Sequence, residues 1–205
     1  MRRLRESFVI GVICKKAKFM QQSLKARFHG VAPLLMNTGR TANPLDQFAK
    51  ALKQISQKRH KTDADFEEMY RLEWYGGLYL SHGKPCIPGL VMDACLVDAA
   101  KKVRKGKQAN AGLFSAGEFV IEHDGPDDID SLWEDERFSF SATVRIQRSR
   151  IIRMRPKFSE WAADLEICFD DRQLNEQDIR EFLSIAGRDV GLMDWRPRFG
   201  RFEIV

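Results

Sequence analysis

The sequence has no apolar run long enough to cross a membrane. Its longest candidate is Phe8–Cys14, which Lys15 and Lys16 interrupt at once, whereas a helical span needs about 18 to 20 apolar residues. We therefore expect no membrane-spanning helix. Three arginines precede the run, but no small-residue cleavage site follows it cleanly, so we predict a cytoplasmic protein.

The sequence also lacks the motifs that indicate common catalytic and metal sites. Cys14, Cys86, Cys95 and Cys168 lie far apart, without a CxxC pair or a second ligand pair at zinc spacing. Neither GxGxxG nor GxxxxGK[ST] occurs, and no serine stands in a convincing triad context. The sequence thus predicts no catalytic residue, no metal and no cofactor.

What the sequence does have is charge, distributed unevenly. Of its 205 residues 31% are charged and 43% hydrophobic, which is enough apolar content for one folded domain. Residues 1–61 carry 14 Lys and Arg against 2 Asp and Glu, whereas residues 115–140 carry one basic and nine acidic residues. We expect a basic arm over 1–22, a single domain over 23–205 and an acidic loop at about 118–136. A basic face of this kind is typical of proteins that bind polyanions, although solvated helix faces give the same composition.

Hydrophobic spacing predicts a helical insertion at about 43–77. Asn43 and Pro44 have the chemistry of a helix start, and Thr62 with Asp65 resembles a capping box that opens a second helix. We expect the first helix to place one stripe in the core: Leu45, Phe48, Ala49, Leu52 and Ile55. The segment Gly83–Gly89 is predicted to be a rigid loop before a third helix, and 108–112 a mobile loop after it.

The last third of the chain predicts strands and one helix. Residues 138–146, 151–158 and 163–169 have strand character, Asn175 has the position of a helix cap, and 201–205 predicts a final strand. This succession is typical of half of a ferredoxin-like fold. The predicted class is therefore α+β, with a ferredoxin-like (RRM-like) core.

The candidate binding residues are mostly cations in three segments. Arginine pairs with phosphate through a planar fork, and alternate strand residues repeat at about 6 to 7 Å, close to a nucleotide spacing. Charge that protects an edge strand from aggregation is the alternative interpretation. The strand candidates are Arg145, Arg148, Arg150, Arg153 and Arg155; the helix-end candidates are Lys101, Lys102, Arg104, Lys105 and Lys107; the glycine- and arginine-rich C-terminal loop adds Trp195, Arg196, Arg198 and Arg201. Trp195 is predicted either to stack on a base or to lie in the core.

Two segments resemble a known family. GKPCIPG at Gly83–Gly89, followed by a helix with a basic end, resembles the PxIPGSSLKG element of the RAMP superfamily, whose members are crRNA-binding backbone subunits of CRISPR effector complexes. The C-terminal GLMDWRPRFGRFEI is similar to the glycine-rich loop and closing strand of that superfamily. The resemblance runs from about Leu24 to Val205 and would make the chain a divergent, even virus-encoded, member. Leu90, Val91 and Met92 replace the polar residues that follow IPG in the family.

The resemblance implies an RRM-like palm that holds single-stranded RNA, with copies stacked head to tail along it and other effector subunits as partners. We accordingly expect a non-enzymatic binder of single-stranded RNA or DNA. Two alternatives stay open. One is a structural or interaction protein of viral origin that engages other proteins, such as CRISPR subunits, through its charge asymmetry. The other is a metal-dependent nuclease that uses scattered acidic residues.

Overall fold

A computed structural model describes residues 22–146 and 149–205 and has the mixed α+β architecture predicted. The predicted arm, apart from Gln22, and the candidate Arg148 lie outside the described residues. The strands are β1 (Gln22–Gly30), β2 (Leu34–Leu35), β3 (Leu80–Ser81), β4 (Lys84–Pro88), β5 (Leu113–Ser115), β6 (Glu118–Val120), β7 (Glu122–His123), β8 (Ser139–Ile146), β9 (Ser149–Phe158), β10 (Trp161–Phe169) and β11 (Phe202–Ile204). The helices are α1 (Gln47–Ser56), α2 (Asp63–Gly77), α3 (Gly89–Lys102), α4 (Gly106–Gly112), α5 (Ile129–Glu134) and α6 (Glu176–Ile185).

The largest sheet is antiparallel and runs in the order β11–β1–β10–β5, with β7 paired to the start of β10. Strand β1 is central: it pairs with β10 over most of its length and with β11 at its end. Because side chains alternate along a strand, Leu24 and Phe28 are buried on one face, while Lys25 lies on the other and is exposed. The sheet therefore has one core face and one face with charged side chains.

Helices α3 and α6 pack against each other and join the same core as the sheet. In α6, Ile179, Phe182 and Leu183 are fully buried, each worth about 1.5 to 3 kcal/mol relative to an exposed side chain. The predicted cap is confirmed: Asn175 Oδ1 accepts the amide of Asp178 at 2.9 Å, and the Asp178 carboxylate accepts the Asn175 amide. A π-helical turn, Ala186–Val190, extends α6 toward the C-terminal loop.

The hairpin β8–β9 belongs to a second, smaller sheet with β2 at its other edge. Helix α2 packs beside β9, and the indole Nε1 of Trp74 donates to the carbonyl of Phe138 at 2.9 Å. The capping box of Thr62 and Asp65 at the start of α2 is present as predicted. A third sheet, β3–β4–β6, carries the buried Cys86 and Ile87.

Helix α1 starts later than predicted, and its apolar face is not buried in the core. It begins at Gln47, and its cap is Asp46, whose carboxylate accepts the amide of Phe48 at 2.9 Å. No α1 residue is fully buried, and Leu45, outside the helix, is 79% exposed. The expectation of a core stripe was wrong because α1 packs on α2 at the edge of the domain rather than against the sheet.

Three predicted loops also contain regular structure. Most of the GKPCIPG segment is strand β4, because Cys86 and Ile87 pair with β6 and are buried. The predicted mobile loop at 108–112 lies within α4, where Ala109 is buried. The acidic segment at 118–136 includes β6, β7 and α5, so it is an ordered part of the fold rather than a simple loop.

Candidate nucleic-acid interface

Arg153 and Arg155 on β9 form internal ion pairs. Arg153 Nη1 donates to the carboxylate of Glu73 on α2, whose side chain is 5% exposed and which also accepts the Met154 amide at 2.9 Å. Arg155 Nε donates to Asp194 at 3.0 Å, and the Arg155 side chain is 16% exposed. These two arginines therefore tie the hairpin to α2 and to the C-terminal loop.

The distal part of the hairpin holds two further strand candidates, Arg145 and Arg150. Arg145 is exposed and lies opposite Arg150 in the strand register. Opposite residues of an antiparallel pair lie on the same face of the sheet, so Arg153 shares a face with its register partner Ala142. Arg145, three positions after Ala142 on β8, belongs to the opposite face. Arg145 and Arg153 thus do not form one continuous surface.

The cations at the corner between α3 and α4 are in two different environments, one paired inside the fold and the others exposed. Lys105 Nζ donates to Asp178 at 2.5 Å, which links the corner to the capped start of α6. Lys102, Arg104 and Lys107 are exposed and form no ion pair within the described residues. Lys101 pairs with Asp98 at 2.8 Å and, with Arg104 and Lys107, lines a shallow cavity of about 700 Å³.

The C-terminal loop is held by backbone contacts that require glycine. Leu192 donates to the carbonyl of Gly200 at 2.9 Å, and Gly200 donates to that of Pro33 at 2.8 Å. Gly200 has a φ of +69°, and a Cβ there would lie 2.1 Å from the Leu192 carbonyl oxygen. The left-handed conformation and the close approach both exclude a side chain, so Gly200 fixes the shape of this loop.

Two carboxylates bring the helix end and the C-terminal loop together. Asp98 on α3 contacts Lys101 and also Arg196 of the loop, at 3.7 Å. Asp189, on the π-helical turn, accepts two hydrogen bonds from Arg188, and this contact, assisted by the nearby Lys102 and Arg201, lowers the pKa of its carboxyl. Glu203 is a third carboxylate in this region and lines a cavity with Arg188 and Arg201.

We call the resulting surface the basic band. Its cations outnumber its three carboxylates by more than two to one, and they come from α3, the α3–α4 corner, the π-helical turn and the C-terminal loop. Sequence reasoning missed Arg188, because it follows the core stripe of α6 without a basic neighbour. The members of the band are Lys101, Lys102, Arg104, Lys107, Arg188, Arg196 and Arg201; Arg198 is exposed in the same loop.

An aromatic cluster lies in the loop that supplies Arg196. The ring of Trp195 contacts those of Phe140 and Phe199, at centroid distances of 5.6 and 6.2 Å. Trp195 is 37% exposed and is not part of the core, so the second of the two predicted fates for this ring was wrong. An exposed indole beside guanidinium groups has the composition of a base-stacking platform.

The charged face of the large sheet has a different character. Arg27 on β1 donates to Glu122 at 2.5 Å and to Asp164 of β10 at 3.1 Å. Lys25 lies opposite Glu166 in the register. The exposed positions of these two central strands carry no Phe, Tyr or Trp, so they do not supply the stacking rings with which RRM sheets hold RNA.

Within residues 22–146 and 149–205, no group of three or more His, Cys, Asp or Glu side chains is arranged to hold a metal ion. None of the helices in this described part is both long and apolar enough to cross a bilayer.

Comparison with known proteins gives similarity only at the level of solved structures. No family profile and no curated protein sequence matches the chain. Among solved structures, the chain is similar to "Crystal structure of Cmr6 from Pyrococcus furiosus", at 8% sequence identity and a TM-score of 0.37, over 88% of this chain and 97% of that chain. A similarity this remote carries no functional argument, so the function has to be argued from the geometry of the chain itself.

Proposed function

We propose that the protein is a non-enzymatic binder of single-stranded nucleic acid, with RNA as the first candidate ligand. The basic band, together with Trp195, is its interface. One observation carries this proposal. Lys101 and Arg196, about 90 residues apart in the sequence, both contact the carboxylate of Asp98, beside the exposed aromatic cluster around Trp195. Cations neutralise phosphates whatever the sequence, and an indole stacks on any base. Both features suit a flexible strand better than a folded protein partner.

The order of elements supports a ferredoxin-like core for this binder. Strand β1, helix α3, strand β5, strand β10, helix α6 and strand β11 follow one another, and the sheet order is β11–β1–β10–β5. Numbered within this unit, the order is 4-1-3-2, with one helix in each half, which is the ferredoxin-like arrangement. The helical insertion falls between β1 and α3. In this arrangement the basic band lies at the ends of the helices and in the C-terminal loop, rather than on the sheet.

Assembly of copies along the strand, and docking to other subunits of a ribonucleoprotein, remain part of the proposal. The ordered acidic segment offers a surface of opposite sign to the basic band, which fits a head-to-tail contact between copies.

The first experiment measures how binding depends on salt. Fluorescence anisotropy with labelled U15 RNA and dT15 DNA at 50 to 200 mM NaCl gives affinity and the slope of log K against log salt. The double variant Lys102→Gln/Arg188→Gln should flatten the slope by about 0.7 for each phosphate that is no longer neutralised, so by about 1.4. The matched control is Lys50→Gln/Arg71→Gln on the helical insertion, which removes the same charge and should leave the slope unchanged. Equal effects of the two double variants would show that only net charge matters and would remove the band from the site.

The second experiment tests the stacking ring. Trp195→Leu should weaken RNA binding by about 5- to 150-fold without changing the salt slope, because stacking on a base contributes roughly 1 to 3 kcal/mol and the variant keeps every charge. Phe66→Leu, at another exposed aromatic residue, is the control and should have no effect. If wild-type protein fails to bind either strand at 50 mM salt, the interaction-protein alternative replaces the binder.

A further inference from the structure

A cavity of about 640 Å³ lies between the helical insertion and β9, and we call it the insertion groove. Helices α1 and α2 supply an apolar wall that includes Leu52 and Met69. Strand β9 supplies Arg153 and Arg155 from another side. The groove thus combines an apolar patch with polar and charged groups that make up the larger part of its lining.

The two guanidinium groups in this groove keep donors in reserve. A guanidinium carries five N–H donors in a planar fork. Arg153 donates to Glu73 through Nη1, and Arg155 uses Nε for Asp194 and Nη1 for the Met154 carbonyl. The Nη2 group of each arginine makes no hydrogen bond within the described residues. Their orientation is fixed by the ion pairs, which lowers the entropy cost of binding an oxyanion.

Three further polar groups of the groove are uncommitted. Lys53, Asn37 and Thr41 line the groove, and their ammonium, side-chain amide and hydroxyl groups have no hydrogen-bond partner within the described part of the chain. Asn37 presents both a donor and an acceptor, which is the pattern needed to pair with the edge of a base. Polar side chains of cavity-lining residues that have no internal partner are available to a ligand.

The charge of the groove limits the size of that anion. Glu73 balances Arg153 and Asp194 balances Arg155, so Lys53 is the surplus cation among these groups. This balance suits a single phosphate with one or two negative charges. A triphosphate would bring more negative charge close to Glu73 than the groove can compensate.

We infer that the insertion groove binds a nucleoside monophosphate, with its phosphate against Lys53 and the two arginines and its base against Leu52 and Met69. The inference does not depend on the strand-binding function, because the groove shares no residue with the basic band. A free nucleotide and a nucleotide of a bound strand have the same chemistry, so the experiment has to distinguish these two sources.

The test is isothermal titration calorimetry of the full chain with AMP, UMP, adenosine, inorganic phosphate and ATP. AMP or UMP should bind with a Kd below about 1 mM, and more tightly than adenosine, phosphate or ATP. Lys53→Gln should weaken AMP binding about tenfold because it removes a charge-assisted hydrogen bond to the phosphate. Lys50→Gln, one turn earlier on α1 and outside the groove, should bind AMP like the wild type. Ala49→Leu, which narrows the groove without removing a charge, should weaken AMP binding as well.

Three outcomes would overturn the inference. They are no heat with either nucleotide at 1 mM, phosphate or ATP binding as tightly as AMP, and equal affinities of the Lys53→Gln and Lys50→Gln proteins. Competition between AMP and labelled U15 RNA identifies the source: displacement shows a nucleotide of the strand, and its absence shows a free nucleotide. The Lys102→Gln/Arg188→Gln protein separates the two proposals, since it should lose RNA affinity and keep AMP binding.

Discussion

At the scale of single residues, Glu73 is the polar group on which the position of the hairpin depends. Its carboxylate is buried, accepts from the Arg153 guanidinium and also accepts the amide of Met154. That amide lies on an edge of β9 where none of the described strands pairs with it. A helix side chain thus takes the place of a neighbouring strand, and it fixes Arg153 at the wall of the insertion groove.

Glu73→Ala should therefore destabilise the protein by about 2 to 3 kcal/mol, because it leaves a half-buried guanidinium and an edge amide without their acceptor. Glu68→Ala on the same helix removes an exposed pair with Arg71 and should cost less than about 1 kcal/mol. Urea unfolding of both variants measures the difference. Similar midpoints for the two would show that the Glu73 contacts contribute no more than a surface pair.

At the scale of elements, the capping box at the start of α2 joins two electrostatic contacts. Asp65 accepts a hydrogen bond from Lys58 at 2.5 Å and another from the Thr62 amide at 3.0 Å. The Lys58 contact and then the amide lower the pKa of the Asp65 carboxyl to about 2. Because the folded-state pKa lies below the unfolded value of about 3.9, this group stabilises the fold above pH 4.

The stabilisation from Asp65 should disappear as the pH falls from about 4 to about 2. Asp65→Asn removes the charge, so its urea midpoint should lie below that of the wild type at pH 6, and the two should converge near pH 2. Asp63→Asn, in the same helical turn but without a cap contact, is the control and should show a much smaller difference at pH 6. A gap between Asp65→Asn and wild type that stays constant down to pH 2 would contradict this account.

Local signals predicted most elements, and tertiary pairing decided the others. The caps at Thr62 and Asn175 act within four residues, so the sequence alone reveals them. The strand Lys84–Pro88 looks like a loop because it contains two prolines and is flanked by glycines, and it is a strand because it pairs with residues thirty or more positions away. The sequence also did not reveal that α1 is exposed, because an apolar stripe does not show which element it packs against.

The candidate site shows the same limit. Dense arginines on β9 indicated an open surface, but Glu73 and Asp194, distant in sequence, pair with Arg153 and Arg155. The contact between Lys101 and Arg196 through Asp98 exists because the C-terminal loop returns over α3, which no spacing rule predicts. Glycines at 191 and 200 did mark that loop correctly, because only their φ angles and their lack of a side chain allow it to close.

At the scale of the whole molecule, the reactivity of the buried cysteines measures whether the core is intact. Cys86, Cys95 and Cys168 are buried, at most 2% exposed. Burial raises the pKa of the Cys86 thiol to about 11 and that of Cys95 to about 12. A thiol reacts as the thiolate, so these thiols should be unreactive while the fold is intact.

In a Cys14→Ser background, the three thiols should react with an aromatic disulfide reagent only when the whole domain unfolds. Their reaction should follow the urea midpoint measured by circular dichroism, and all three should appear together. Adding Ser159→Cys, at an exposed turn, provides a thiol that reacts at once in native protein. A buried thiol that reacts at a rate independent of urea would reveal local opening of the core.

The pairing of β1 also bears on how the protein is made. Its partners are β10 and β11, so the first described strand finds its neighbours only among residues 161–204. At a translation rate of about 5 to 20 residues per second, roughly seven to twenty-five seconds separate the synthesis of β1 from that of β10, its main partner. During that interval Leu24 and Phe28 have no sheet to join, so the nascent chain presents apolar surface that ribosome-associated chaperones are suited to shield.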